Sequence, residues 1–370
     1  STIYRWRGWP EKAYKEAAIA RTINTEDQYI QLVNARALMD MQDYQAAEDL
    51  IQQLNNNTAI ANNSLIELNK DWDERNKREF YSRFEVGSST PKSGDVNNSN
   101  FGSSDLSLES YLYDKTHQHY YRPFIHQYYA EADFDEGKGR YERIGIGVEY
   151  KKKKNFLLTE LSQSYEGESE IGLSVKGQHD VSDYLKLSYG FDSRSTKVPI
   201  RANFHDITGK DYTLGLTYRL HDLTQVSGGI EYLNYTDGNE RKTGSVTATH
   251  RIINKPYYKM TLRPAVYYAT NSSSTGPYFS PERVSETNLS VDNEWLTYRR
   301  HNLNFIQRLE LNVGLNNQKG YSNHTTNAIV YQHEWAIEKS LYITYGIKYA
   351  KNYYDGDRED RKSFFSSLNW

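Results

Sequence analysis

The stretch NLNFIQRLELNVGLNN, residues 302–317, decides the fold. Every second residue from Leu303 reads Leu303, Phe305, Gln307, Leu309, Leu311, Val313 and Leu315. The alternate set reads Asn304, Ile306, Arg308, Glu310, Asn312, Gly314 and Asn316. Successive side chains of a strand point to opposite faces, so the pattern predicts a strand with one apolar face and one wet face. Soluble strands usually run about 5–6 residues, and this one is more than twice as long. Its apolar face meets either a protein core or a lipid bilayer.

The same texture recurs along most of the chain. RYERIGIGVEY sets Ile144, Ile146, Val148 and Tyr150 against Arg143, Gly145, Gly147 and Glu149, and SEIGLSVKG sets Ile171, Leu173 and Val175 against Gly172, Ser174 and Lys176. Sixteen such segments are expected, from 78–88 to 361–370. The links between them decide between core and lipid. After even-numbered segments they are short, as in YDKTHQ, KKKKN, HDVSD, LHDLT, INKP, YRRHN and IEKS. After odd-numbered segments they read as longer and polar, as in SSTPKSGDVNNSN, FDEGKG, RSTKVPIRANFHDITGK, NSSSTGPYFSPER, NNQKGYSNH and YDGDRED. Outer-membrane barrels segregate short periplasmic turns from long outer loops in this way. The expectation is a mainly β fold: a 16-stranded antiparallel outer-membrane barrel over 78–370, closed by pairing 78–88 with 361–370.

Composition agrees. Mean hydropathy is -0.85, and no apolar run approaches the roughly 20 residues of a spanning helix. A barrel escapes such a scan because its two faces cancel. The 33 tyrosines suit aromatic girdles at the membrane interfaces, although carbohydrate-binding proteins are also rich in them. The absence of cysteine removes thiol catalysis, thiolate metal sites and disulfides. A net charge of -3 gives no argument for nucleic acid. The sequence contains no signal peptide and Ser1 is not a start methionine, so a mature or trimmed fragment is expected.

Residues 1–77 read differently. TEDQYIQLVNARALMDMQDYQAAEDLIQQL has Thr25 as expected N-cap. Ala35, Leu38, Ala47, Ile51 and Leu54 fall at the small and large positions of a tetratricopeptide (TPR) helix pair. RWRGWPEKAYKEAAIA reads as the second half of an earlier repeat. A TPR segment and an ordinary helical hairpin packed on the barrel both fit the pattern.

The barrel register sends Arg143, Glu149, Glu160, Lys176, Lys186, Asp192, Arg219, Glu231, Lys259, Arg263, Asp292, Glu294, Arg308, Glu310 and Glu334 inward. Two readings stand: an ion-pair network that braces the wall, and a path whose acids and hydroxyls exchange hydrogen bonds with a polar solute. The outer-mouth residues expected to matter are Asp133, Asp135, Glu136, Pro199, Arg201, Tyr278, Phe279 and Arg283. Pro199, Pro277 and Pro281 stiffen the two long loops, which are expected to fold inward. No GxSxG, HExxH, P-loop or EF-hand pattern occurs, so no catalytic residue, metal or cofactor is expected. The protein reads as a transporter rather than an enzyme. His117 and His119 flank a turn and read as surface residues.

The TPR-like head followed in order by FDEGKG (134–139), KVPIRANF (197–204), GPYFSPER (276–283), LTYRRHNL (296–303) and YDGDRE (354–359) resembles the PgaA/HmsH exporter porins. The likeness runs over most of the chain. It implies a barrel in the outer membrane of a Gram-negative bacterium, with a TPR domain in the periplasm. It further implies export of poly-β-1,6-N-acetylglucosamine, a biofilm exopolysaccharide, and a periplasmic deacetylase lipoprotein as partner of the TPR domain. Family members usually carry more repeats upstream and commonly end in Phe, where this sequence has Trp370. Besides polymer and outer-membrane lipid, no nucleic acid is expected, and a monomer is. The alternative is a TPR-barrel translocon for surface proteins or lipoproteins.

Overall fold

A computed structural model describes the chain except residues 26, 57–62, 92–100, 167 and 339. Five helices come first: α1 (Thr2–Trp6), α2 (Pro10–Ile23), α3 (Gln28–Asp40), α4 (Tyr44–Asn56) and α5 (Asn63–Arg75). The strands are β1 (Glu79–Pro91), β2 (Ser104–Tyr113), β3 (Tyr121–Phe134), β4 (Gly137–Lys152), β5 (Asn155–Glu166), β6 (Glu168–Asp180), β7 (Leu185–Asp192) and β8 (Gly209–His221). They continue as β9 (Thr224–Tyr235), β10 (Glu240–Asn254), β11 (Tyr258–Asn271), β12 (Arg283–Arg300), β13 (Leu303–Gln318), β14 (His324–Ala336), β15 (Tyr342–Tyr354) and β16 (Asp357–Asn369). A short α6 (Ile200–Phe204) lies in the link between β7 and β8.

Every strand pairs antiparallel with its sequence neighbours, and β1 pairs β16, with Tyr81 opposite Asn369 and Ser89 opposite Arg361. The barrel is closed, which leaves no sheet edge to satisfy. Its outward face is apolar. Ile144, Ile146, Val148, Leu161, Leu214, Leu216, Ile230, Val266, Leu311, Val313 and Leu315 are all exposed. Such a band on a closed barrel is a surface for lipid. Near the short-turn end it finishes in aromatic rings, among them Trp295 against Tyr258 and Phe305 stacked on Trp335.

Two expectations are corrected here. FDEGKG and YDGDRED are tight hairpins, not long loops, with links of only Asp135–Glu136 and Asp355–Gly356. Asp355 and Gly356 have φ of 48° and 82°, the left-handed pair that a two-residue hairpin turn demands. Outside the bilayer both strand faces meet water, so pairing continues after the apolar alternation has stopped. Asp133 and Arg283 consequently sit in β3 and β12. The second correction is the cap of α3. Asp27, not Thr25, accepts from the backbone N–H groups of Tyr29 and Ile30. The link SSTPKSGDVNNSN falls largely outside the described residues.

The helices pack into one core in which Leu32, Ala35, Leu38, Tyr44, Ala47, Ile51, Leu54, Leu68 and Trp72 are buried. The β2–β3 turn contributes Tyr120 to that core. Arg75 lies over the Tyr44 ring and donates to the His119 carbonyl. Asp183, in the β6–β7 turn, accepts from the N–H groups of Glu11 and Lys12 at the start of α2, both at 3.0 Å. Lys153 N–H in the β4–β5 turn donates to the Gln42 carbonyl at 3.0 Å, and Arg7 pairs with Asp222 in the β8–β9 turn at 2.5 Å. The helices thus dock on four consecutive short turns, those from β2 to β9.

Candidate functional site

Inward-facing charges form two networks of different character. The first is on β2–β7. Arg143 donates from Nε to Glu160 at 3.0 Å and from Nη1 to Asp192 at 2.7 Å and to the Arg194 carbonyl at 3.1 Å. His126 places Nδ1 2.9 Å from Glu160 and Nε2 3.4 Å from Glu109, and Tyr111 stacks on its ring at 4.0 Å. The Arg143 and Glu160 side chains are each 2 % exposed. Tyr111, Phe124 and Leu158 pack beside them as a buried cluster.

The second network is on β11–β14. Lys259 pairs with Glu294 at 2.6 Å, Glu294 with Arg308 at 3.0 Å, and Arg308 with Glu334 at 2.8 Å. Arg263 pairs with Asp292 and lies 3.5 Å from Glu310. Here Arg263 and Arg308 are 39 % and 41 % exposed. These groups are partly exposed on the inner face of the wall.

Other expected lumen residues are engaged elsewhere. Arg219 is at the short-turn rim and donates to the Gly8 carbonyl at 2.9 Å, so it is a docking contact of the helices. Glu149 pairs with Lys151 at 2.9 Å near the same rim. Glu231 pairs at 2.7 Å with Lys197, which also meets Asp211 at 2.9 Å. Lys197 comes from the long link holding α6, so that link is tied to the barrel wall.

At the outer end, Pro199 precedes α6, and Arg201 pairs with Glu136 of the β3–β4 hairpin at 2.6 Å. Gly137 and Gly139 make room there, because a Cβ at either would meet Phe204 or Ile200. The 272–282 link comes in from the other side. Tyr278 stacks on Tyr235 at 4.9 Å, donates to Asp237 at 3.0 Å and accepts from Asn239 at 3.0 Å. Val198, Ala202, Leu233, Tyr235 and Tyr278 share one buried cluster, which joins the two links. Phe279 packs edge-on against Tyr354 at 4.9 Å. Asp133 accepts from Ser104 at 2.6 Å, and Arg283 is exposed at the start of β12.

A closed barrel with this wet, charged interior matches a family model, the PgaA membrane beta barrel domain, over residues 83–370. The chain belongs to that family. Its barrel is an outer-membrane barrel of Gram-negative bacteria, and the short turns and docked helices are on the periplasmic side. The chain is 22% identical over 364 residues to the poly-beta-1,6-N-acetyl-D-glucosamine export proteins of Escherichia coli K12 and Escherichia coli O157:H7. The match covers 97% of this chain and 44% of each relative, so the chain spans under half of their length. A solved structure described as a bacterial polysaccharide outer membrane secretin shares the fold, with TM-score 0.74 and 20% identity. It covers 80% of this chain and 98% of its own.

Sequence reasoning missed His126, Glu109, Lys197 and Asp183. The alternation around Ile125 already points His126 inward. Nothing local marks Lys197 or Asp183, whose partners lie on other elements.

Proposed function

We propose that this family member exports partly de-N-acetylated poly-β-1,6-N-acetylglucosamine across the outer membrane during biofilm formation. The observation that carries the reading is the half-exposed ladder of Lys259, Glu294, Arg308, Glu334, Arg263, Asp292 and Glu310. Deacetylation gives the polymer ammonium groups, and each acid of the ladder is shared with a resident cation. The polymer therefore meets many weak sites, which conduct better than one tight site. Among the described residues the helices dock on the turns from β2 to β9 and not on those from β10 to β15, so the inlet is beside this ladder.

Residues 1–77 act as the end of a periplasmic TPR domain that presents the polymer to the barrel at 78–370. That domain also receives a periplasmic deacetylase lipoprotein. The protein works as a monomer and leaves the polymer chemically unchanged. The links carrying α6 and Tyr278 form a gate, and opening it parts the Tyr278–Tyr235 stack.

The test combines Asp292→Asn, Glu294→Gln and Glu310→Gln. Secreted glucosamine polymer is measured against barrel abundance in the same cells, and a several-fold fall in export per folded barrel is expected. In vitro, 1 M salt should shrink the difference, because the screening length falls to about 3 Å. Wild-type export from the folded triple variant overturns the reading and leaves these acids as bracing.

A further inference from the structure

A cavity lies above the β11–β16 half of the barrel, on the outer side. It has a volume of about 600 Å³ and is lined by Arg201, Phe279, Ser280, Tyr321 and Asp355 among others. Small-ligand pockets run to about 300–1,000 Å³, so the space suits a short saccharide. Two groups of the lining, Asp355 and Tyr321, are open to a ligand. Ser280 is 4% exposed, and its Oγ, without a hydrogen-bond partner among the described residues, has no surface open to the cavity. Asp355 makes no ion pair or hydrogen bond among them either, and burial together with neighbouring Asp357 pushes its carboxyl above the ordinary value. Tyr321 is 46% exposed, with one edge fixed against Gly356, where a Cβ would strike the ring.

The cations of the lining are already neutralised. Arg201 pairs with Glu136 and Lys319 with Glu282. No group of three His, Asp or Glu side chains able to hold a metal occurs among the described residues. What remains unmatched is a carboxylate that lacks a cation and an aromatic face that lacks a cover. One ligand answers both: a pyranose ring with an ammonium group.

We propose that this cavity is an exit subsite for a glucosamine unit of the emerging chain, with Asp355 taking the ammonium and Tyr321 the ring face. The assignment of the ligand rests on the export reading. The subsite holds the leading end of the polymer outside the Tyr278 gate, so that a step back costs a contact already made. It is distinct from the ladder, since every residue named comes from outer links of α6, β11–β12, β13–β14 and β15–β16.

The test is calorimetric titration of the whole detergent-folded chain with β-1,6-linked glucosamine tetramer and with its fully N-acetylated counterpart. Asp355→Asn keeps the left-handed turn, since Asn tolerates positive φ. It should weaken binding of the glucosamine tetramer about tenfold, the loss of one charge-assisted hydrogen bond. Binding of the acetylated tetramer should not change. Tyr321→Ala should weaken both by about threefold to tenfold. If both variants bind the glucosamine tetramer as the parent does, the subsite is elsewhere and the proposal is overturned. If the parent binds neither tetramer but cells bearing it secrete polymer, the subsite is overturned and the export reading stands. A parent that neither binds nor secretes overturns both.

Discussion

Arg143 and Arg263 occupy comparable places: each points inward from a long strand and each is flanked by two carboxylates. Yet the Arg143 side chain is 2 % exposed and the Arg263 side chain 39 %. Their surroundings make the difference. Around Arg143 the wall carries Tyr111, Phe124, Tyr141 and Leu158, and the link bearing α6 brings in the Arg194 carbonyl. Around Arg263 the inward neighbours are Thr261, Ser290 and Asn312, all small and polar. The helices repeat the asymmetry by docking on the turns from β2 to β9. The inward charges of one half are sealed beneath neighbouring side chains, and those of the other are partly exposed. The comparison teaches that an inward charge braces or conducts according to what packs over it, not according to its own identity.

The largest effect that could break this comparison is on stability. Removing one partner of a buried ion network leaves uncompensated charge and costs about 3–5 kcal/mol. Arg143→Ala should therefore lower the urea midpoint of the folded barrel far more than Arg263→Ala does. Equal midpoints for the two variants would mean that the sealed half is not sealed in solution.

A middle-sized effect sharpens the capping argument. Asp183 serves as the N-terminal cap of α2 although it belongs to a barrel turn. Losing such a cap costs about 1 kcal/mol. Asp183→Ala should raise amide exchange in α2 several-fold while β3–β5 exchange as before. Unchanged exchange in α2 would place the docking elsewhere.

The smallest effect concerns the partly exposed half. Arg263→Ala should change stability by about 0–1 kcal/mol, as for a solvated ion pair. It should shift channel selectivity toward cations, because Asp292 and Glu310 lose their shared counter-charge. Reversal-potential measurements in a salt gradient check the sign, and a shift toward anions would contradict it. The change should fade as salt rises, since the charges are within reach of solvent.

Much of this was readable beforehand. Ile144, Ile146 and Val148 face outward and Arg143 and Glu149 inward, as their alternation requires, because a side-chain period of two leaves no third option. Ala35, Leu38, Ala47 and Leu54 are buried where helical spacing puts them. The hairpins at Asp135–Glu136 and Asp355–Gly356 were not readable, because strands outside the bilayer lose the alternation that identifies them. Arg219 read as a lumen charge, and only the docked helix reveals its bond to Gly8.

Sequence alone determined the strand count, the face on which each side chain lies, the side of the membrane for short and long links, and the closure of β1 on β16. The faces follow from the period of two within each segment, and the rest from the number of segments and the alternation of their links along the chain. Only the tertiary structure decided which inward charges are sealed and which are wet. It also decided that two outer links meet through Tyr278 and Tyr235, and that helices cover half of the rim. Those outcomes depend on side chains far apart in sequence, such as Arg7 with Asp222 or Arg201 with Glu136. The free energy of a charge depends on the dielectric and the partners that such distant neighbours create, and no single segment contains them.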